Sequence, residues 1–168
     1  MELNRRLALL IDGDNAQASL LPQMLAEVSK HGTITIERVY GDWSEVNMKS
    51  WKDVASNYEL DAEQKFRTSH DKNSTDIALI MDAMDLLYNA KLDGFAIASS
   101  DSDYIPLVRY LREKGMYVLG IGKRMTPSTY IRVCDDFIYT EDLQPMEPVR
   151  NDNITTSIGV APIITENN

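Results

Sequence analysis

The chain has 168 residues, room for one domain with a real core and too little for two. Its 43% hydrophobic and 26% charged content is that of an ordinary soluble globular protein. A net charge of −9 excludes a general nucleic-acid coat protein, which needs a basic surface, but not an enzyme that handles nucleic acid through a metal and a local basic rim. The single cysteine, Cys134, excludes an internal disulfide and suits a reducing cytoplasm.

Arg5 and Arg6 precede the apolar run Leu7 to Ile11, which is too short for a secretory h-region and reads as a buried parallel strand. No stretch is long enough to span a membrane, so a cytoplasmic protein is expected. Leu20 to Lys30 reads as a helix with apolar Leu21, Met24, Leu25 and Val28, closed by His31 and Gly32. Thr33 to Tyr40 alternates and is β-rich. Met48 to Tyr58 reads as a helix, Ala62 to Arg67 as a weak strand and Ile77 to Tyr88 as a strong helix. Phe95 to Ala98 is a short buried strand, Tyr104 to Lys114 a helix closed by Gly115, and Tyr117 to Ile121 a strand closed by Gly122. Thr129 to Val133 reads as a short helix and Phe137 to Tyr139 as a last strand. Strands alternating with helices imply a parallel sheet covered on both faces. The character changes after Pro145 and Pro148, which divides the chain into a domain over residues 1–144 and a tail over 145–168. The β-prone stretch Asn153 to Ile164 in that tail is expected to contact a partner protein or a second copy in a homodimer.

Three aspartate clusters sit at the edges of these apolar runs: Asp12-Gly13-Asp14-Asn15, Ser74-Thr75-Asp76 and Ser99-Ser100-Asp101-Ser102-Asp103. In an open α/β sheet the site lies beyond the carboxyl ends of the strands, where strand order reverses. Asp12 directly follows the first strand and Asp101 follows the fourth by a few residues, so neighbouring strands would bring both into one crevice. On a helix, Asp76, Ile80, Ala83 and Leu87 share one stripe, while Asp82, Asp85 and Asn89 share the opposite one. Asp76 is therefore expected to face inward and the other acids to be solvated. Such a carboxylate cluster repels itself unless something positive sits in it, and the usual occupant is a divalent cation bound through oxygen.

Several of these residues also have a structural alternative. Asp76 could be a first-turn acid favoured by the helix dipole. Asp103 could cap the helix that starts at Tyr104, and Asn15 the helix after it. Asp14 reads as a solvated turn residue. Asp12 has no such alternative, because an acid directly after a buried strand needs a partner. Lys123, Arg124 and Thr126 follow the fifth strand and should rim the same crevice, and Lys65, Arg67, His70 and Lys72 precede Asp76. Together they could grip phosphates. His70 and Cys134 have no partners for a zinc site. There is no Walker loop and no dinucleotide fingerprint, and Ser99 and Ser100 lack a supporting histidine.

The segments Ile11-Asp12-Gly13-Asp14-Asn15, Lys72 to Leu79, Asp93-Gly94-Phe95 with Ser99 to Tyr104, Thr126-Pro127 and Cys134 to Tyr139 come in order and resemble the NYN domain, more narrowly its LabA-like bacterial branch. The resemblance covers about residues 5–143. It implies membership of the PIN-like nuclease superfamily, a three-layer α/β/α fold whose mainly parallel sheet has the order 3-2-1-4-5, and an RNase-type site that uses Mg²⁺ or Mn²⁺. Position by position it implies that Asp12 is the first-strand metal acid, Asn15 the asparagine that completes that motif, Asp76 the helix-start acid, and Asp101 and Asp103 the acids after the fourth strand. The expected activity is hydrolysis of RNA. Asp12, Asp76, Asp101 and Asp103 would hold the metal, Asn15 a water or phosphate oxygen, and Lys72, Lys123, Arg124 and Thr126 the substrate.

Two other readings remain open at this level. A non-catalytic RNA- or protein-binding module would fit the acidic net charge. A phosphatase of the haloacid dehalogenase type would use Asp12 and Asp14 as an Asp-x-Asp pair, although Asn15 and Ala16 stand where that family has a glycine and a hydroxyl.

Overall fold

The structure, a computed structural model, describes residues 4–58, 61–64 and 74–143. It contains six strands, β1 (Arg6–Asp12), β2 (Thr33–Gly41), β3 (Asp61–Gln64), β4 (Gly94–Ala98), β5 (Tyr117–Gly122) and β6 (Asp136–Tyr139). Five helices connect them, α1 (Leu21–Ser29), α2 (Lys49–Asn57), α3 (Ser74–Asn89), α4 (Ile105–Glu113) and α5 (Ser128–Val133). All pairings are parallel and the order is β3-β2-β1-β4-β5-β6. The expected order 3-2-1-4-5 is thus present, extended at one edge by β6. The weak strand expected over residues 62–67 is seen as Asp61–Gln64, and its remainder lies outside the described residues, as does the tail 145–168 with its β-prone stretch.

β1 is buried on both faces, which is why it reads as one apolar run. Leu7, Leu9 and Ile11 join the core made with Leu21, Met24 and Val28 of α1 and Trp51 and Ala55 of α2. Ala8 and Leu10 join the opposite core, made with Ala78, Leu79 and Ala83 of α3, Leu107, Val108 and Leu111 of α4 and Tyr130 of α5. The result is three layers. The chain runs outward from β1 through β2 to β3, then returns to place β4 on the other side of β1. That reversal opens a crevice at the carboxyl ends of β1 and β4.

α3 settles onto the sheet slightly rotated from the expected stripe. Its buried residues are Thr75, Asp76, Ala78, Leu79, Ala83 and Leu86. Asp76 is inward, as the sequence led one to expect, but Asp82 is not solvated. It lies next to positions 78, 79 and 86 on the helix surface. There it meets Arg38, whose Nη1 donates to both carboxylate oxygens at 2.8 Å, and the Tyr40 hydroxyl, which also donates to it. Placing the stripe by Ile80 and Leu87 missed this because a long arginine from β2 can reach the flank of the helix.

Gly13 connects β1 to the loop beyond it and is held from both sides. Its N–H donates to the Tyr40 carbonyl at 2.8 Å, and its carbonyl accepts from the buried Trp51 indole at 3.0 Å. A Cβ there would lie 2.7 Å from the Tyr40 oxygen and 2.8 Å from the Met48 methyl. Gly13→Ala should therefore destabilise the fold by about 1–3 kcal/mol, the usual cost of overpacking. Urea unfolding checks this, and an unchanged midpoint would mean that the loop gives way easily.

Candidate active site

The last residue of β1, Asp12, is fully buried, an unusual position for a carboxylate. Its charge is met by short-range donors. Asn15 Nδ2 donates to Oδ2 at 2.6 Å, Ser99 Oγ to the same oxygen at 2.8 Å, and the Asp14 N–H to Oδ1 at 3.2 Å. Ser99 is in reach because Ile11 pairs with Ala98, so the residue after each strand end lies beside the other. Ser99 Oγ in turn accepts the Asp101 N–H at 3.1 Å. One hydroxyl thus ties the carboxylate at the end of β1 to the turn after β4. Burial pushes the Asp12 carboxyl above its ordinary value, and the hydrogen bonds from Asn15 and Ser99 oppose that rise.

Asp76, Asp101 and Asp103 converge beside it. Each offers a carboxylate oxygen, and these three atoms lie within 4.8 Å of one another. Asp76 is 8% exposed, and the buried Tyr104 hydroxyl donates to its Oδ1 at 3.0 Å. Burial raises the Asp76 carboxyl to about 6; the Tyr104 hydrogen bond works against this, and the charges of Asp12 and Asp101 add to it. Asp101 accepts the Asp103 N–H on Oδ1 at 2.9 Å, capping the short 3-10 turn Ser102–Tyr104 and keeping its second oxygen available. Among the described residues no lysine or arginine pairs with these acids.

Two of the structural alternatives, the caps by Asp103 and Asn15, are answered by these bonds. Asp103 does not cap α4, whose N-cap is Tyr104 without a side-chain bond. Asn15 caps neither the 3-10 turn after it nor α1; its amide nitrogen orients Asp12. Asp12 stands outside the triad of mutually close oxygens, and both its oxygens are already engaged. Ser99, Tyr104 and Tyr130 have positions at the site that their sequence context did not reveal. Tyr104 adjoins Asp103 in the acidic motif, which was the available clue.

Tyr130 is fully buried on α5, and its hydroxyl has no hydrogen-bond partner among the described residues. Burial raises it well above an ordinary tyrosine, helped by Cys134 and by the charges of Asp12 and Asp101. An all-oxygen donor set, uncompensated negative charge and an orphaned buried hydroxyl close by fit a hard divalent cation with its hydration shell.

The basic residues divide. The Lys123 N–H donates to Ser100 Oγ at 2.8 Å, while its ammonium makes no ion pair among the described residues. Arg124 pairs with Asp142, lies 4.7 Å over the Tyr139 ring, and has its N–H on the Glu141 carboxylate at 2.8 Å. Thr126 is buried, with its hydroxyl donating to the Lys123 carbonyl at 2.5 Å. Arg124 and Thr126 thus hold the turn after β5. Lys65, Arg67, His70 and Lys72 lie outside the described residues.

The family model of the NYN domain matches residues 6–144. An uncharacterized protein of Methanocaldococcus jannaschii is 29% identical over 139 residues, 79% of this chain. The match covers 54% of that relative, so the chain spans about half the length of the curated protein it resembles. The crystal structure of a protein of unknown function from Vibrio parahaemolyticus has the same fold, with a TM-score of 0.67 at 18% identity over 84% of this chain and 96% of that one.

Two outcomes are expected in metal-free buffer. A folded carboxyl raised above its unfolded value of 3.8 destabilises the fold when ionised, so the penalty is absent below pH 4 and complete above about pH 6. Asp76→Asn should therefore melt higher than wild type at pH 7–8 in EDTA, by about 1–2 kcal/mol, with the advantage vanishing towards pH 4. A lower melting temperature at neutral pH would make Asp76 a structural residue. Tyr130→Phe should leave stability unchanged or raise it by up to about 1 kcal/mol, since it removes an unsatisfied buried group. A clear loss would show the hydroxyl to be bonded in the folded protein.

Proposed function

The chain belongs to the NYN domain family, within the PIN-like nuclease superfamily, and on that footing we propose that it is a metal-dependent endoribonuclease of the LabA-like bacterial branch, working in the cytoplasm. The observation that carries the reading is the convergence of Asp76, Asp101 and Asp103 at the sheet's switch point, with no lysine or arginine paired to them among the described residues.

The ion these acids would hold, Mg²⁺ or Mn²⁺, supplies Lewis-acid activation of water and charge neutralisation at the scissile phosphate. The protein's residues do the positioning. Tyr104 fixes one oxygen of Asp76 and leaves the other for the ion. The Asp103 N–H does the same for Asp101. Asp12, held by Asn15 and Ser99, fixes the turn that carries Asp101 and adds negative potential from beneath. The Lys123 ammonium, without an ion pair among the described residues, would meet a backbone phosphate. Arg124 and Thr126 support the turn that presents it.

The phosphatase alternative needs a carboxylate with a free oxygen as nucleophile. Asp12 is buried and both its oxygens accept hydrogen bonds, so that alternative is set aside. A non-catalytic RNA- or protein-binding module remains the second reading, favoured by the net charge of −9. A homodimer or a partner protein engaging the tail 145–168 belongs with it.

Labelled RNA should be cut internally with Mn²⁺ or Mg²⁺ and left intact in EDTA. Asp101→Asn should lower the rate at least roughly 100-fold, and Ser99→Ala, which acts only through Asp12 and Asp101, roughly 10–100-fold. RNA that is bound but never cut, in either metal, would replace the nuclease by the binding module. Lys123→Ala should weaken RNA binding and reduce the salt slope by about one, whereas Arg124→Ala should leave that slope unchanged. Equal slopes for the two variants would remove the phosphate role of Lys123.

A further inference from the structure

α3 is apolar on two sides. Leu79, Ala83 and Leu86 are buried against the sheet. Ile77, Met81 and Tyr88 stand on the opposite side, 55%, 67% and 64% exposed, and half-buried Met84 falls between them. At roughly 100° per residue these four occupy an arc of about 60°. Three of the six exposed large hydrophobic residues among those described lie on this one stripe, so the exposure is concentrated and not scattered. A helix that is apolar all round is one that something else covers.

We propose that a second copy of this chain covers the stripe, as an antiparallel α3–α3 pair about a two-fold axis. The proposal does not rest on the RNA-cleaving reading. Three observations lead there. First, the steps from Ile77 to Met81, Met84 and Tyr88 are four, three and four residues, the alternation of a helix-pairing seam. That order reads the same in reverse. Turned end for end, the stripe therefore meets itself in register, with Ile77 facing Tyr88 of the second copy and Met81 facing its Met84. A two-fold pair requires such self-complementarity, and an unrelated partner does not. A ring packs against a branched side chain at each end, and the flexible methionines fill the centre. Second, the area suffices for a reversible dimer. At roughly 200 Å² for a large side chain, the three exposed residues leave on the order of 400 Å² per copy. Half-buried Ile80, Met84, Leu87 and Tyr110 border them, which brings the pair to about 1,000 Å², the lower end for a specific interface. Third, the stripe itself carries no charge. At its border Asp85 accepts the Asn89 amide at 2.7 Å, and Asp82 is paired with Arg38. The net charge of −9 acts mostly from beyond the screening distance of roughly 8 Å at physiological salt.

Sedimentation velocity on the full chain should show a reversible dimer with a dissociation constant on the order of 10–100 µM, the affinity of a small interface. Met81→Glu places a carboxylate at the centre of the seam, on an exposed position. It should weaken the dimer at least about tenfold and leave the melting temperature of the dilute monomer unchanged. Ile77→Cys combined with Tyr88→Cys should give a disulfide-linked dimer on mild oxidation. Ile77→Cys alone should not, because the two copies of position 77 stand about 16 Å apart along the helix axis. The native Cys134 is buried and leaves this readout clear. In wild type, peroxide should oxidise Met81 more slowly in concentrated than in dilute protein, with the rate at exposed Met125 unchanged. Wild type that stays monomeric up to roughly 300 µM overturns the proposal. So does a dimer that Met81→Glu leaves intact, since it would lie on another surface. Efficient linking by Ile77→Cys alone would mark a parallel pair and overturns it as well. Slow oxidation of Met81 at every concentration would assign the stripe to another part of the same chain, again against a second copy.

Discussion

The fully buried carboxylate of Asp12 is the constraint on which the rest of the site depends. A charge at the end of a central strand has to be solvated by the protein itself. Asn15, Ser99 and the Asp14 N–H do this, and each bond has a structural consequence. The Asn15 bond closes the loop after β1 onto the strand that precedes it. The Ser99 bond joins that loop to the turn after β4, and through the Asp101 N–H it sets the start of the second acidic segment. The loop is pressed into place from the far side, where Trp51 and Tyr40 take both backbone groups of Gly13.

Above this anchored carboxylate the acids gather without a basic side chain paired to them among the described residues. Arg38 is spent on Asp82, Arg112 on Asp135 and Arg124 on Asp142. In the triad, the Tyr104 hydroxyl donates to Asp76 and the Asp103 N–H to Asp101. Such neutral donors orient a carboxylate without cancelling its charge, which is the condition for a site that takes up a cation from outside. Burial, first, and then the charges of Asp12 and Asp101 raise the Asp76 carboxyl there.

The two faces of the sheet differ at the same rim. Alternation along a strand sends Leu10 and Ile97 to the α3–α4 side and Ile11 and Ala98 to the α1 side. Continued past the strand ends, it leaves the acids over one face and a small apolar hollow, lined by Met24, Ala98 and Ile121, over the other, with Asn15 and Ser99 at the junction.

Much of this was legible in the residues alone. The run Leu7 to Ile11 ending in Asp12, the inward turn of Asp76 and the acids after the fourth strand depend on local periodicity and on where apolar runs stop, and a chain carries both signals in its own order. So does the alternation of strands and helices that dictates a parallel sheet. The tertiary structure alone decided which hydroxyls and amides serve those acids. Ser99 meets Asp12, and Tyr104 meets Asp76, because β4 returns beside β1 and α3 settles above them. Sequence separations of 87 and 28 residues leave no local trace of such contacts. The same holds for the basic residues. Lys123 and Arg124 are neighbours of equal charge in the sequence, yet the ammonium of one makes no ion pair among the described residues and the other is held by Asp142, Glu141 and Tyr139. Likewise Asp82 reads as solvated from its helix position and is claimed by Arg38 on a different strand, because a long side chain's reach is measured in space and periodicity records only direction.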